Sequence, residues 1–347
     1  MLNSKLKTKI AQMIMVGFEG ESLQSNNFIV NAIREDHIGG VILFDYNFKT
    51  KTYQKNISNP IQLKQLTNEL QKIANHTLLI GIDCEGGQVN RLKENKGFQK
   101  TISANALEGL SEVDIKKYTN QMAQTLTNLG INLNFAPVLD VNLNPTNPVI
   151  GALGRSFSND PEKIIQYAQY FYSAFRHHNI IPVYKHFPGQ GSAKGDTHLG
   201  CVDVTHSWQP LELLPYQTLL RSTSDVMVMT AHIIHRTLDP SGLPASLSKN
   251  MTHELLRNHL HYDGVIITDD LQMKAIADHY SLQETIRLAI NAGADILLFG
   301  NQLVDSPILP TQVIDWILDD ISSNKISSHQ IEKSYERIIR LKKSLSF

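Results

Sequence analysis

Eight short apolar runs, separated by longer segments of helical spacing, constrain this chain more than any other feature. The runs are Met13–Phe18, Val41–Phe44, Leu78–Ile82, Ile131–Val138, Ile180–His186, Val226–Thr230, Gly264–Thr268 and Ile296–Phe299. They are continuous rather than alternating, the texture of strands buried on both faces of a parallel sheet. Pro161–His178, Leu211–Ser222 and Leu282–Ala292 read as helices between them. Strands alternating with helices make right-handed βαβ units, and eight such units close a barrel. The expectation is an α/β fold, a (β/α)8 TIM barrel in a single domain over 1–347. The barrel should cover about 10–301, followed by a C-terminal helical segment over about 302–347 that includes Gln330–Ser344. A doubly wound open sheet is the alternative. Asp45–Pro60, polar and irregular, reads as a long surface loop.

Composition narrows the function. Thirty-two Lys+Arg against 33 Asp+Glu leave a net charge of −1, with no electrostatic footprint for nucleic acid or an acidic membrane. No stretch approaches 18 apolar residues, so no membrane span is expected. Two cysteines, Cys84 and Cys201, make neither a disulfide framework nor a cysteine-rich zinc site. Met1–Phe18 reads as the first barrel elements rather than a signal peptide. The cytoplasm is the expected compartment, with the periplasm as the alternative if a leader precedes the numbering.

In barrels of this kind chemistry sits where strands end and βα loops begin. The third run is followed by Asp83-Cys84-Glu85-Gly86-Gly87 and Arg91, and the fourth by Asp140, Asn142 and, later, Arg155. The fifth ends in Lys185-His186, then Gly189-Gln190-Gly191 and Asp196-Thr197-His198. The sixth leads to His232, the seventh to Asp269-Asp270, and the eighth to Gly300-Asn301. Charged groups against buried strands are costly unless paired or used, so several on one face point to an active site. Asp269 and Asp270 should face opposite sides of an extended segment, so at most one faces the centre. Alternation favours Asp269, and Asp270 would cap a helix or anchor a loop ahead of Leu271–Ala277.

The glycine-rich loop 189–195 reads as mobile. It fails GxGxxG, because Lys194 takes the third glycine position, and no GxxxxGK[ST] is present. It does carry Asp196-x-His198, a carboxylate placed to orient an imidazole. The histidines show no HExxH or similar spacing, so no metal and no other cofactor is expected. Arg91, Arg155 and Lys185 could be structural pairs or could grip a polar ligand. Asp, Arg, Lys and His with few aromatics suit a sugar.

Six segments occur in order: Asp83-x-Glu85-Gly86-Gly87-x-Val89-x-Arg91, Asn134-Phe135-Ala136-Pro137-Val138-x-Asp140-Val141-Asn142, Gly154-Arg155-Ser156-Phe157, Lys185-His186-Phe187-Pro188-Gly189-x-Gly191, Asp196-x-His198 and Thr268-Asp269-Asp270-Leu271-x-Met273. Together they resemble glycoside hydrolase family 3, specifically its single-domain β-N-acetylglucosaminidases, from about Ile10 to Asn301. The resemblance implies retaining hydrolysis of terminal β-linked N-acetylglucosamine. It implies Asp269 as nucleophile, His198 as acid/base with Asp196 as its partner, and Asp83, Arg91, Arg155, Lys185 and His186 as the groups that hold the sugar. The pattern departs at Gln190, where the family usually has histidine, and mildly at Thr197, where serine is common.

The chain's short extent beyond the eighth run favours the type that releases the amino sugar from peptidoglycan-derived anhydro-muropeptides. A carbohydrate is thus the expected partner and a monomer the expected state. The alternatives are a β-glucosidase, β-xylosidase or glycoside phosphorylase of the same fold, and a catalytically silent muropeptide-binding protein.

Overall fold

The computed structural model describes residues 2–23, 28–223, 225–304 and 306–345. All eight apolar runs form strands: β1 (Ile14–Gly17), β2 (Gly40–Leu43), β3 (Leu79–Ile82), β4 (Leu133–Asn134), β5 (Ile181–Phe187), β6 (Met227–Thr230), β7 (Val265–Thr268) and β8 (Leu297–Phe299). They lie in the order β7-β6-β5-β4-β3-β2-β1-β8, every adjacent pair parallel, with Ile14 of β1 opposite Leu297 of β8. The remaining seam, β7 to β8, is joined by a parallel bridge between Ile267 and Ile296. There the Thr268 N–H donates to the Ile296 carbonyl at 3.1 Å and the Leu271 N–H to that of Leu298 at 3.0 Å. The sheet therefore closes into the eight-stranded barrel, which sets aside the open doubly wound alternative. Every residue of the eight strands is buried, which is why the runs are apolar without alternation.

β4 is shorter than its run. Beyond Asn134 the chain passes Pro137, which has no N–H to offer a ladder, and stays tied to its neighbours by scattered bonds. Phe135 N–H donates to the Ile82 carbonyl at 2.9 Å and Leu139 N–H to that of Lys185 at 2.7 Å.

The helices start where the sequence supplies caps. Asp160 caps Pro161–His177, accepting from Glu162 N–H at 3.0 Å, with Pro161 at a position whose N–H needs no partner. Its Ile164, Ala168, Phe171 and Phe175 fall on one buried face. Leu282–Ala292 ends at Gly293, whose φ of 110° terminates the helix in the left-handed region. The expected helix over 211–222 is divided into a short turn, Pro210–Leu213, and Leu214–Leu219. The segment expected over 271–277 is helical only at Lys274–Ala277, because Asp270 does not cap it. The C-terminal segment forms Pro310–Ser322 and Ser328–Lys343, which pack on the first helix, Leu2–Gln12.

The 45–60 loop differs most from its reading. Asp45, Asn47, Lys55 and Asn56 are buried; Asn47, Lys55 and Asn56 are hydrogen-bonded within the protein, and Asp45 lies 3.9 Å from Arg91 and 3.8 Å from Lys93. Lys55 Nζ donates to the Asn301 carbonyl at 2.8 Å and to Gln302 Oε1 at 2.9 Å, strapping the β2 loop to the β8 loop.

Candidate active site

The strands' C-terminal ends surround a cavity of about 360 Å³. Asp83, Arg91, Arg155, Lys185, His186, Asp196, His198 and Asp269 all line it. They come from the ends of β3, β4, β5 and β7, which parallel closure alone brings to one mouth.

One wall is a buried ion cluster. Asp83 accepts from Arg91 Nη2 and from Lys185 Nζ, both at 3.0 Å. Glu85 receives a two-pronged contact from Arg155 (Nε 2.8 Å, Nη2 2.7 Å) and lies 2.7 Å from Lys185 Nζ. Burial alone raises both carboxyls. Lys185 and Arg91 outweigh it at Asp83, and Arg155 and Lys185 at Glu85, so both stay ionised below the ordinary carboxylate range. His186 is oriented from beneath, its Nδ1 2.7 Å from Asp140 Oδ2. Arg91 Nε is buried with no partner among the described residues, a donor left over beside the cavity.

The two neighbouring carboxylates after β7 part company here. Asp270 is spent on backbone: its Oδ1 accepts from Gln272 N–H and Gly300 N–H, both at 3.1 Å, and burial raises it to about 6. It is a loop anchor. Among the described residues Asp269 Oδ1 accepts only the Asp270 N–H, at 2.8 Å. Burial would raise Asp269 too, but His232, His186 and His198 face it and together hold it below its usual value. An anionic carboxylate among imidazoles at the cavity wall has the form of a nucleophile.

His198 stands on the β5 loop with 53% of its side chain exposed. Its Nδ1 is 2.7 Å from Asp196 Oδ1, which also accepts the His198 N–H at 2.8 Å. With Nδ1 engaged, Nε2 is the nitrogen left to exchange a proton with a ligand. The glycine-rich start of this loop is packed rather than loose. Gln190, Gly191, Ser192 and Ala193 are buried, and a Cβ on Gly191 would lie 1.7 Å from the Val141 carbonyl oxygen. The glycines there serve close backbone approach, and exposure begins at Lys194. The departing residue, Gln190, is among those that line the cavity.

Four residues that matter were not singled out as site residues. Glu85 lies inside the Asp83–Arg91 motif, but its pairing with Arg155 spans 70 residues and leaves no local mark. Asp140 was noted after β4 without its bond to His186. Asp45, first polar residue after the second run, is buried 3.9 Å from Arg91; its position at a strand end was the available signal, masked by the polar loop that follows. His232 is buried between Ser246 Oγ, 2.7 Å from its Nδ1, and the Asp270 carbonyl, 2.9 Å from its Nε2. Among the described residues no group of three or more His, Cys, Asp or Glu side chains is arranged to hold a metal ion, and no helix is long and apolar enough to cross a membrane.

Comparison with known proteins adds independent support. The model of the Glycosyl hydrolase family 3 N terminal domain matches residues 5–341. A Beta-hexosaminidase A of Pseudoalteromonas piscicida is 33% identical over 331 residues, 89% of this chain and 54% of that protein. A Beta-hexosaminidase of Tolumonas auensis is 34% identical, over 78% of this chain and 77% of its own length. Among solved structures, a glycoside hydrolase family 3 beta-N-acetylglucosaminidase from Paenibacillus sp. str. FPU-7 superposes with a TM-score of 0.87 at 35% identity, covering 98% of this chain and 62% of that one. The chain thus spans about half the length of the Pseudoalteromonas relative and under two thirds of the Paenibacillus chain. A closed parallel barrel, a charged mouth built at its strand ends, and a family match running nearly end to end establish that this chain belongs to glycosyl hydrolase family 3, through that family's N-terminal domain.

Proposed function

We propose that this chain is a retaining exo-β-N-acetylglucosaminidase. The observation that carries the reading is that Asp269 and the Asp196-bonded His198 line one cavity together with the donors and acceptors of Asp83, Arg91, Arg155, Lys185 and His186. The names of the relatives supply the sugar; the mouth supplies the chemistry.

In the first step an Asp269 oxygen bonds to the anomeric carbon while its bond to the glycosidic oxygen breaks, and protonated His198 gives that oxygen its proton. In the second, neutral His198 takes a proton from water, whose oxygen displaces Asp269 and restores the carboxylate. Asp196 holds the imidazole in one tautomer and stabilises its cationic form. An imidazole in place of a second carboxylate avoids setting another anion beside Asp269. The ion cluster positions sugar hydroxyls: Asp83 lines the cavity, is ionised and can accept from them, while Glu85 behind it holds Arg155 and Lys185 in place.

The leaving group in this reading is the muramyl part of an anhydro-muropeptide, and two unpaired cysteines, Cys84 and Cys201, fit action in the cytoplasm. The test is release of nitrophenol from aryl β-N-acetylglucosaminide and aryl β-glucoside, with Asp269→Asn beside wild type. Turnover of the acetamido sugar alone, lost by roughly 10⁴-fold in the variant with an unchanged melting temperature, is the expected result. Preference for the glucoside moves the protein to another glycone, and no turnover of either returns it to the binding-protein reading. Faster release of N-acetylglucosamine from an anhydro-muropeptide than from chitobiose is expected for the leaving group, and the reverse order overturns that part.

A further inference from the structure

One buried carboxylate beneath the mouth is not matched by a cation. Glu212, in the turn Pro210–Leu213, has no exposed surface. Its Oε2 accepts the Gly191 N–H at 2.9 Å and the Ser192 N–H at 3.3 Å, and its Oε1 the Gln209 N–H at 3.3 Å. Among the described residues no lysine, arginine or histidine pairs with it; the charged group that bears on it is the Asp140 carboxylate. Burial, with that like charge, pushes Glu212 up to about 7. An unpaired acid in such a place is costly to keep.

What it holds is the root of the loop that carries His198. Asp140 Oδ1 accepts the Gln190 N–H at 2.8 Å, and Glu212 accepts the next two, so three consecutive amides end on two buried carboxylates. The carbonyls are held in turn: Asn147 Nδ2 donates to that of Gln190 at 2.7 Å and Asn144 Nδ2 to that of Ala193 at 2.8 Å. Gly189, at φ 118°, lies so close that a Cβ there would come within 2.7 Å of the Glu212 Cβ. Residues 190–193 are therefore fixed on both edges of the backbone, three residues before Asp196.

We propose that Glu212 is a positioning residue for the His198–Asp196 dyad, clamping the loop root jointly with Asp140 so that the imidazole stands over the cavity in the orientation proton transfer requires. It is not among the residues that line the cavity and acts through the loop residues it holds. The proposal rests on the reading of His198 as the acid/base.

The test compares kcat/KM on dinitrophenyl and methylumbelliferyl β-N-acetylglucosaminides for wild type, Glu212→Gln, Glu212→Ala and His198→Ala, with thermal melts of each. Dinitrophenolate departs without a proton, whereas methylumbelliferone departs faster with one. We expect Glu212→Gln to lose about tenfold on the methylumbelliferyl substrate and no more than about twofold on the other. Glu212→Ala should lose more in the same pattern, and His198→Ala most. Equal losses on both substrates, or none, in a folded Glu212→Gln overturn the proposal when His198→Ala does show the split. A His198→Ala variant with no split overturns the acid/base reading, and the proposal with it.

Discussion

The two ends of the barrel bury ion clusters of similar chemistry and put them to opposite ends. At the floor, where the strands begin, Asp295 spends Oδ2 on Arg257 and on the Ile266 N–H at 2.8 Å, and Oδ1 on Arg337 at 3.3 Å. Arg257 turns its other nitrogen to the carbonyls of Tyr262 and Gly264, and Arg337 reaches Asp263 at 2.9 Å. That cluster completes itself and ties the starts of β7 and β8 to the helix Ser328–Lys343. At the mouth, Asp83 and Glu85 are equally well paired, yet their partners are not used up. Arg91 keeps a buried Nε without a partner among the described residues, and although Arg257 and Arg337 also border a surface pocket, it is the mouth cluster whose Arg91, Arg155 and Lys185 share a cavity with Asp269 and His198. A cluster that satisfies itself braces the fold. One that leaves donors toward open space is prepared for a ligand.

The comparison can be broken most directly at its cations. Lys185→Met leaves Asp83 and Glu85 each short of a partner, and removing one member of a buried pair costs about 3–5 kcal/mol. We expect kcat/KM to fall by roughly 10²-fold or more, through misplaced sugar-binding groups. A variant that melts early but turns over normally once folded would make the mouth cluster structural, like the floor.

Arg257→Met is the mirror experiment. It takes the nearer guanidinium from the buried Asp295 and leaves it only Arg337 at 3.3 Å, so denaturant unfolding should show a loss of about 3 kcal/mol. The kcat and KM of the folded variant at 25 °C should match wild type, and a changed KM would join the two ends energetically.

The effect smallest at any one pH step concerns Lys342, at the floor. Its Nζ donates to Gln12 Oε1 at 2.7 Å and the Gly39 carbonyl at 2.8 Å, with no carboxylate among the described residues paired to it, and burial lowers it to about 7. Because the folded value lies below the unfolded one, the native state binds fewer protons between about 7 and 10.4. The stability this group contributes is full above the ordinary lysine range and is lost as pH falls through about 7. Unfolding measured from pH 7 to 10 should slope upward by no more than about 1.4 kcal/mol per pH unit. Lys342→Met should flatten that slope without touching activity, and an unchanged slope would place the titration elsewhere.

Much of this was legible beforehand, and the reason differs from element to element. β1, β2, β3 and β5 to β8 fell within a residue or two of their apolar runs, because burial on both faces writes itself into consecutive residues. β4 did not, since Pro137 interrupts its ladder. Leu282–Ala292 matched at both ends, where Ser281 and Gly293 cap it. The 45–60 loop misled because polar residues satisfied by protein look like polar residues satisfied by water. The glycines of 189–191 misled in the same way, since a glycine kept for close approach reads like one kept for motion.

The sequence by itself determined the barrel and the set of polar residues at its mouth, because burial and strand-end position are local properties carried by neighbours in the chain. Which of those residues are spent and which are left over was decided only by tertiary structure. Asp270 is occupied because Gly300, 30 residues away, presents an N–H to it, while Asp269 beside it meets imidazoles from the ends of other strands. Glu212 matters because a turn after the loop folds back under that loop's root. Hydrogen bonds between distant loops fix each group's charge and freedom, and no pattern along the chain records them.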